Sequence, residues 1–371
     1  MKLTKRIFLT LTFVSSLLLQ GCHQQSTPVA EGGDTIKLKY ATLLTMVRYG
    51  DYTEVTIADP WNEGKALQRL RIEKKYHRAL VFTTVHCQLM EYLGCGGSIA
   101  GVCDLKYINI DNIRERSSAN YHDTTNGSLP AIVDCGNAMA PNIEKITALK
   151  PDIMILSPFE GGNNMSKYKN TDITMVYAAE YMEPTPLARA EWMKLYGLLF
   201  GCEKAADSLF CIVDSTYNLL KKQAIKLPKG RSILTERKTG ATWYCPGGKS
   251  TVAQMIADAN GQYAFAGDNH SGSLALPFEQ VFVKAGNSDI WAFKYEAEQP
   301  LSRSQLLTEF HGYAGLKAMQ TGEVYQCNAA QTTIFEETGF RPDLLLREFI
   351  ILLHPETDFG ELRYYKRSLN P

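Results

Sequence analysis

The 371-residue sequence predicts an α/β protein: two Rossmann-like lobes with central parallel sheets, joined by one long rigid helix. Three observations predict it. Short apolar runs that read as buried strands alternate with helical stretches in both halves of the chain. The chain beyond its leader, roughly 335 residues, exceeds what one hydrophobic core usually serves, so two domains are expected. Between the alternating regions lies a helical stretch with one continuous apolar stripe.

Residues 1–21 read as a secretion signal. Lys2, Lys5 and Arg6 precede the apolar run Ile7 to Leu19, which is too short to span a bilayer permanently. The run ends Leu19-Gln20-Gly21-Cys22, a small residue before a cysteine, which looks like a lipobox. Its thiol would take a diacylglycerol and Cys22 would become the first residue, held to a membrane in the periplasm; an ordinary signal peptide with an incidental cysteine is the alternative. Residues 22–35 are polar, with Pro28 and Gly32-Gly33, and read as a flexible tether.

The first lobe is placed at 36–200. Lys37 to Tyr40 and Tyr52 to Ile57 alternate polar and apolar positions as a half-exposed hairpin. Leu80 to Val85, Ile99 to Val102, Ile153 to Leu156 and Thr174 to Tyr177 read as buried strands. Ala188, Trp192, Leu195 and Leu199 then recur at helical spacing, followed by a second stripe of Ala206, Leu209, Val213, Thr216, Leu220 and Ala224. The second stripe spans roughly 22 residues, about 33 Å as a helix, and makes 201–227 a stiff connector. The second lobe, 228–371, restarts the alternation: strands at Ser232 to Thr235, Asp289 to Phe293 and Glu323 to Tyr325, helices at Thr251 to Ala259 and Leu344 to Leu353. Pro342 and Asp343 open the last helix and His354-Pro355 close it.

Lys+Arg and Asp+Glu are equal at 39 each, which excludes the basic excess that a nucleic-acid partner requires. Beyond the leader no apolar run is long enough for a membrane span. Of nine cysteines, eight follow Cys22: Cys87, Cys95, Cys103, Cys135, Cys202, Cys211, Cys245 and Cys327. An exported chain sits in an oxidising space where some could pair, but eight allow about 105 connectivities and spacing does not choose among them. Cys211 falls on the apolar face of the connector and reads as a buried thiol.

Four segments, in order, carry a resemblance. They are Asn142-Ile143-Glu144-Lys145-Ile146 through Leu149-Lys150-Pro151-Asp152-Ile153; Trp243-Tyr244-Cys245-Pro246-Gly247-Gly248-Lys249-Ser250; Phe278-Glu279 ahead of Asn287-Ser288-Asp289-Ile290-Trp291; and Arg341-Pro342-Asp343-Leu344 through His354-Pro355-Glu356. Together, from about Leu80 to Glu356, they resemble the class III periplasmic binding proteins, which carry ferric siderophores, haem and cobalamin to ABC importers. The resemblance implies a cleft between two lobes, modest closure, and an ABC permease with its ATPase as partners. It also implies a monomer with no cofactor, a chelated metal being cargo. Leu149 to Asp152 reads as scaffold, a helix end delivered into a strand by proline. Glu144 and Glu279 each open a helix at corresponding places, where a carboxylate also suits the helix dipole; they match the family positions that dock with permease arginines.

For the ligand, Trp243 and Tyr244 are expected on a turn that exposes both rings, since Pro246 and the two glycines break the strand. Trp291 and Tyr107 are expected beyond carboxyl ends of strands, where open parallel sheets bind ligands. His86 follows its strand in the same way, and Arg237 could face an anionic group. Each aromatic suits core or rim packing as well as ligand contact, and for His86 and Arg237 a structural or solvated role is the more ordinary one. The resemblance ranks a ferric siderophore first, cobalamin second and haem third; direct zinc or manganese capture fits less well. No hydrolase, Walker or dinucleotide glycine motif is present, so an enzyme is not expected. A metallohydrolase would need His122-Asp123, Asp268 with His270, or His354 with Glu356 to converge. An accessory lipoprotein feeding an outer-membrane receptor is a third reading.

Overall fold

The computed structural model describes residues 32–121, 129–160 and 172–368. The signal segment, Cys22, and His122-Asp123 lie outside the described residues.

The first lobe begins with four antiparallel strands in sequence order, β1 (Asp34–Thr35), β2 (Leu44–Arg48), β3 (Thr53–Ala58) and β4 (Ala66–Ile72). In β3 the alternation expected of a half-exposed strand is borne out, with Thr53, Val55 and Ile57 buried and the residues between them partly exposed. The expected strand at Lys37 to Tyr40 is corrected: the peptide N–H groups of Lys39, Tyr40 and Ala41 donate to the Glu191 carboxylate at 2.7–3.0 Å. Those of Thr42 and Leu43 donate to Glu183. Two buried carboxylates satisfy this segment's backbone where a neighbouring strand would otherwise do so.

The parallel sheet follows with β5 (Ala79–Val81), α1 (Thr84–Tyr92), β6 (Ile99–Val102), α2 (Asp111–Arg116) and β7 (Val133–Asp134). A small hairpin, β8 (Gly136–Asn137) and β9 (Ala140–Pro141), leads to α3 (Ile143–Leu149), β10 (Ile153–Leu156) and β11 (Thr174–Tyr177). The strand order is β11-β10-β5-β6-β7. Three of these strands match the sequence reading to the residue. The fourth does not: β5 stops at Val81, and Val85 and His86 belong to α1.

The helical layer comprises α4 (Pro186–Glu191), α5 (Met193–Phe200) and α6 (Glu203–Ala224). The last has 22 residues, which is about 33 Å of rod. Its buried face is Ala206, Phe210, Val213, Tyr217, Leu220 and Ala224, so Phe210 and Tyr217 replace Leu209 and Thr216 in the expected stripe. Cys211 is exposed, a correction with a geometric cause: one residue is 100° of helix, and the aromatic beside it takes the inward position.

The second lobe contains β12 (Ser232–Thr235), β13 (Lys238–Thr239), β14 (Thr242–Pro246), α7 (Thr251–Asp258), β15 (Gln262–Tyr263), β16 (Ser273–Pro277) and α8 (Phe278–Ala285). Then come β17 (Ile290–Tyr295), α9 (Arg303–Glu309), α10 (Lys317–Thr321), β18 (Val324–Asn328), α11 (Ile334–Glu337), α12 (Pro342–Leu353) and β19 (Lys366–Arg367). Its main sheet runs β15-β12-β17-β18-β19, parallel except for the last strand, and β13-β14-β16 form a separate antiparallel sheet. One apolar core runs from β2 and β3 through α4, α5, α6 and α12 into β12 of the second lobe. Further clusters fill the second lobe and the outer face of the first.

Candidate functional site

Each main sheet has a point where successive strands are added on opposite sides, between β5 and β10 in the first lobe and between β12 and β17 in the second. Crevices for ligands open there, beyond the carboxyl ends of the strands. In the second lobe the chain leaving β12 passes through Glu236, whose φ of 61° lies in the left-handed region. A side chain held there costs on the order of 1 kcal/mol or more. The turn is anchored from beneath. Trp243 Nε1 donates to the Thr235 carbonyl at 3.0 Å, and Trp291 Nε1 donates to the Glu236 carbonyl at 2.7 Å.

Both indoles are therefore supports of the crevice floor. Each is 0% exposed, which corrects the expectation that they line the cleft. For Trp243 the reason is the strand's twofold period: the Trp243-Tyr244 pair lies within β14, so one ring points into the lobe and Tyr244 points out, 48% exposed. For Trp291 the reason is strand length, since β17 continues to Tyr295 and Trp291 is its second residue. His86 is corrected too. It is fully buried in the first turn of α1, its Nδ1 2.9 Å from Thr83 Oγ1 and its Nε2 3.3 Å from Glu180.

Tyr244 and Arg237 are brought together. A pocket of about 400 Å³ is lined by Glu236, Arg237, Thr239, Tyr244, Pro246, Ser250, Val252 and Lys294 with the Ser271–Ser273 turn. Arg237 donates to Glu309 at 2.5–2.6 Å, and Lys294 is paired with Glu236. Burial opposes the charge on Lys294, but the Glu236 carboxylate holds its pKa above the usual lysine range. Both cations thus carry a carboxylate partner, and the pocket is close to electroneutral. Glu236 and Lys294 were missed in the sequence; their signal was position, the first residue after β12 and the next to last of β17.

Tyr107 lies apart from this pocket, 55% exposed in a short helical turn after β6, with the Lys106 ammonium 4.5 Å from its ring centre. In the first lobe, beyond the carboxyl ends of β10 and β11, Phe159 and Tyr181 are both partly exposed, with the Tyr181 hydroxyl donating to the Pro158 carbonyl. Residues of the two lobes meet at Glu336: Thr84 Oγ1 and the Asn109 N–H both donate to its carboxylate at 3.0 Å.

Glu144 and Glu279 are exposed in the first turns of α3 and α8. Asn142 caps α3 by accepting from the Lys145 N–H at 3.0 Å. Asp268 and His270 bond only each other among the described side chains, His354 Nδ1 lies 3.8 Å from Glu356, and no three His, Cys, Asp or Glu side chains among the described residues gather as a metal site. Among the described residues no helix is long and apolar enough to cross a membrane.

A family model described as "Periplasmic binding protein" matches residues 105–330, more than half of the chain. An uncharacterized lipoprotein of Methanocaldococcus jannaschii is 27% identical over 384 residues, covering 92% of this chain and 88% of its own. Among solved structures, an ABC-type Fe3+-hydroxamate transport system from Saccharomonospora viridis superposes with a TM-score of 0.56 at 18% identity, covering 80% of this chain and 97% of the other. The periplasmic vitamin B12 binding protein of Vibrio cholerae gives 0.54 at 15% identity, covering 75% and 96%. At these identities the structures are alike in fold.

Proposed function

The chain belongs to the periplasmic binding protein family, and we propose that it is the lipid-anchored substrate-binding component of an ABC importer that captures a ferric siderophore and delivers it to the permease. The observation that carries this reading is the second-lobe crevice. It presents an exposed tyrosine face beside polar groups at the carboxyl ends of β12 and β17, the composition of a site for a chelate with an apolar shell and polar edges.

The paired state of its cations refines the ligand class. A polyanionic chelate would have to displace Glu309 from Arg237 and Glu236 from Lys294, losing two short ion pairs to gain two. A chelate without net charge, such as a ferric tris-hydroxamate, needs no such exchange. Titrating the protein with a ferric tris-hydroxamate, a ferric tris-catecholate, cobalamin and haem, followed by calorimetry, tests this. Binding of the hydroxamate with the lowest Kd is expected, and heat from none of the four overturns the reading.

Delivery is assigned to Glu144 and Glu279, one exposed acid on each lobe, which would steer and orient the encounter with permease arginines. Reversing both (E144R with E279R) is expected to abolish uptake in cells while ligand binding in solution is unchanged. Uptake that survives the double reversal favours capture for an outer-membrane receptor.

A further inference from the structure

The second lobe holds another cavity, apart from the crevice. It measures about 490 Å³ and lies against β17, β18 and β19, closed over by the segment that leads into α9. Lys294 and Tyr295 are consecutive in β17, yet the first lines the crevice pocket and the second lines this cavity. Neighbouring residues of a strand point to opposite faces, so the sheet itself separates the two.

Side-chain amides build the closure. Gln326, buried in β18, accepts from the Leu301 N–H at 3.0 Å and donates to the Leu301 carbonyl at 2.9 Å, meeting both groups of that residue as a neighbouring strand would. Asn328 donates to the Ala297 carbonyl at 2.6 Å and Gln331 to the Glu298 carbonyl at 2.9 Å. Three amides thus hold residues 297–301 across the cavity. The Tyr364 hydroxyl donates to Glu337, and Ser302 caps α9 by accepting from the Gln305 N–H. The polar groups of the wall are therefore already bonded within the protein.

Lys366 is the exception. It stands directly opposite Gln326 in the β18–β19 pair, and opposed residues of an antiparallel pair share a face, so its side chain rises beside the cavity. It is exposed and has no ion pair among the described residues. Arg367, the next residue, already has Glu323 as its partner. The cavity differs in this from the crevice pocket, whose two cations both carry carboxylates.

We propose that this cavity is a second ligand site, for a small amphipathic monoanion that lays an apolar or aromatic body beneath Leu301 and sets one carboxylate on the Lys366 ammonium. A polar body would give up its water without gaining partners, because the wall amides are already bonded. A carboxylate gains the free cation in a charge-assisted hydrogen bond. The volume is that of a small-ligand pocket.

Calorimetric titration of the full-length protein with naphthoate, and with the uncharged naphthalenemethanol, tests this. Naphthoate is expected to bind the wild type. Lys366→Met, at an exposed edge-strand position, is expected to raise its Kd about tenfold or more and to leave that of the alcohol unchanged. Lys366→Arg, which keeps a cation there, should retain naphthoate binding. A crystal structure of the naphthoate complex should place the carboxylate at Lys366 Nζ. No heat from naphthoate, a Kd in Lys366→Met equal to that of the wild type, equal weakening of acid and alcohol, or naphthoate found beside Arg237 and Tyr244 instead overturns the proposal. The titration needs no chelate, so a chain that binds naphthoate here but none of the four chelates separates failure of the transport reading from failure of this one.

Discussion

At the scale of single residues, the supporting role of the two buried indoles makes a sharp contrast with the exposed ring between them. Trp291→Phe keeps the aromatic packing but leaves the Glu236 carbonyl without its donor. The expected loss is about 1–3 kcal/mol of stability, read from the midpoint of urea unfolding. Tyr244→Ala removes a ring that points outward, and its stability should stay within about 0.5 kcal/mol of wild type. A Trp291→Phe protein as stable as the Tyr244→Ala protein would show that the indole hydrogen bond contributes nothing. The sequence could say that this region carries aromatics near a crevice, because Trp243 and Tyr244 stand just ahead of Pro246-Gly247-Gly248 and Trp291 lies in an apolar strand run. It could not say which of them face out, since that depends on whether Pro246 ends a strand or precedes one. Glu183 and Glu191 were illegible for a different reason. A glutamate in or beside a helix reads as solvent-facing, and only tertiary structure brings the bare N–H groups of Lys39 to Leu43 against these two carboxylates.

Elements were the most legible scale, because strand and helix periods are local. β6, β10 and β11 are bounded correctly by their apolar runs, whereas the run read as β5 crosses into α1, and β17 is read short because Lys294 interrupts its apolar run while the strand continues to Tyr295. The end of α3 is a case in which local chemistry decides. Lys150 takes φ 49° and ψ 59° as the helix cap before Pro151, a conformation that glycine adopts without steric cost. Lys150→Gly is expected to raise stability by about 0.5–1 kcal/mol, visible as a higher melting temperature; a fall would mean that the exposed lysine makes a contribution beyond its backbone. A second element-level prediction concerns the amino ends of β12 and β17, which Asp289 joins by accepting from the Ser232 N–H and hydroxyl at 2.7–2.8 Å and from Lys317 at 2.6 Å. Burial alone would raise the Asp289 pKa, but these hydrogen bonds bring it down from 3.8 to about 2. Because the carboxyl titrates lower in the folded state than in the unfolded chain, its stabilisation is complete above the unfolded value and is lost as pH falls towards the folded one. Asp289→Asn should therefore lower stability at neutral pH and narrow its difference from wild type between about pH 4 and pH 2, followed by urea unfolding at each pH. A difference that is constant across that window would remove Asp289 from the account of acid sensitivity.

For the whole molecule, the question is how far the lobes move when the crevice fills. Two features oppose a wide hinge. The apolar core is continuous from the first lobe's strands through α5, α6 and α12 to β12, so a large rotation would have to expose packed side chains at about 25 cal/mol per Å². On the crevice side Glu336 already holds Thr84 and Asn109, and Glu337 accepts from Tyr92 of the first lobe and from Arg363 and Tyr364 of the second. Ligand binding energy would have to exceed both before it could drive a hinge, and a ligand shifts a conformational equilibrium only by its differential affinity for the two states. The free and ligand-saturated protein should therefore differ in radius of gyration by no more than about 1 Å in small-angle X-ray scattering, the scale of side-chain and helix adjustments. A compaction of several ångströms on saturation would mean that α6 bends or that the Glu336 and Glu337 contacts are broken in the free state. Measuring Glu336→Ala beside the wild type separates the two: a compaction unchanged by that substitution points to the helix, and one that is altered points to the contacts.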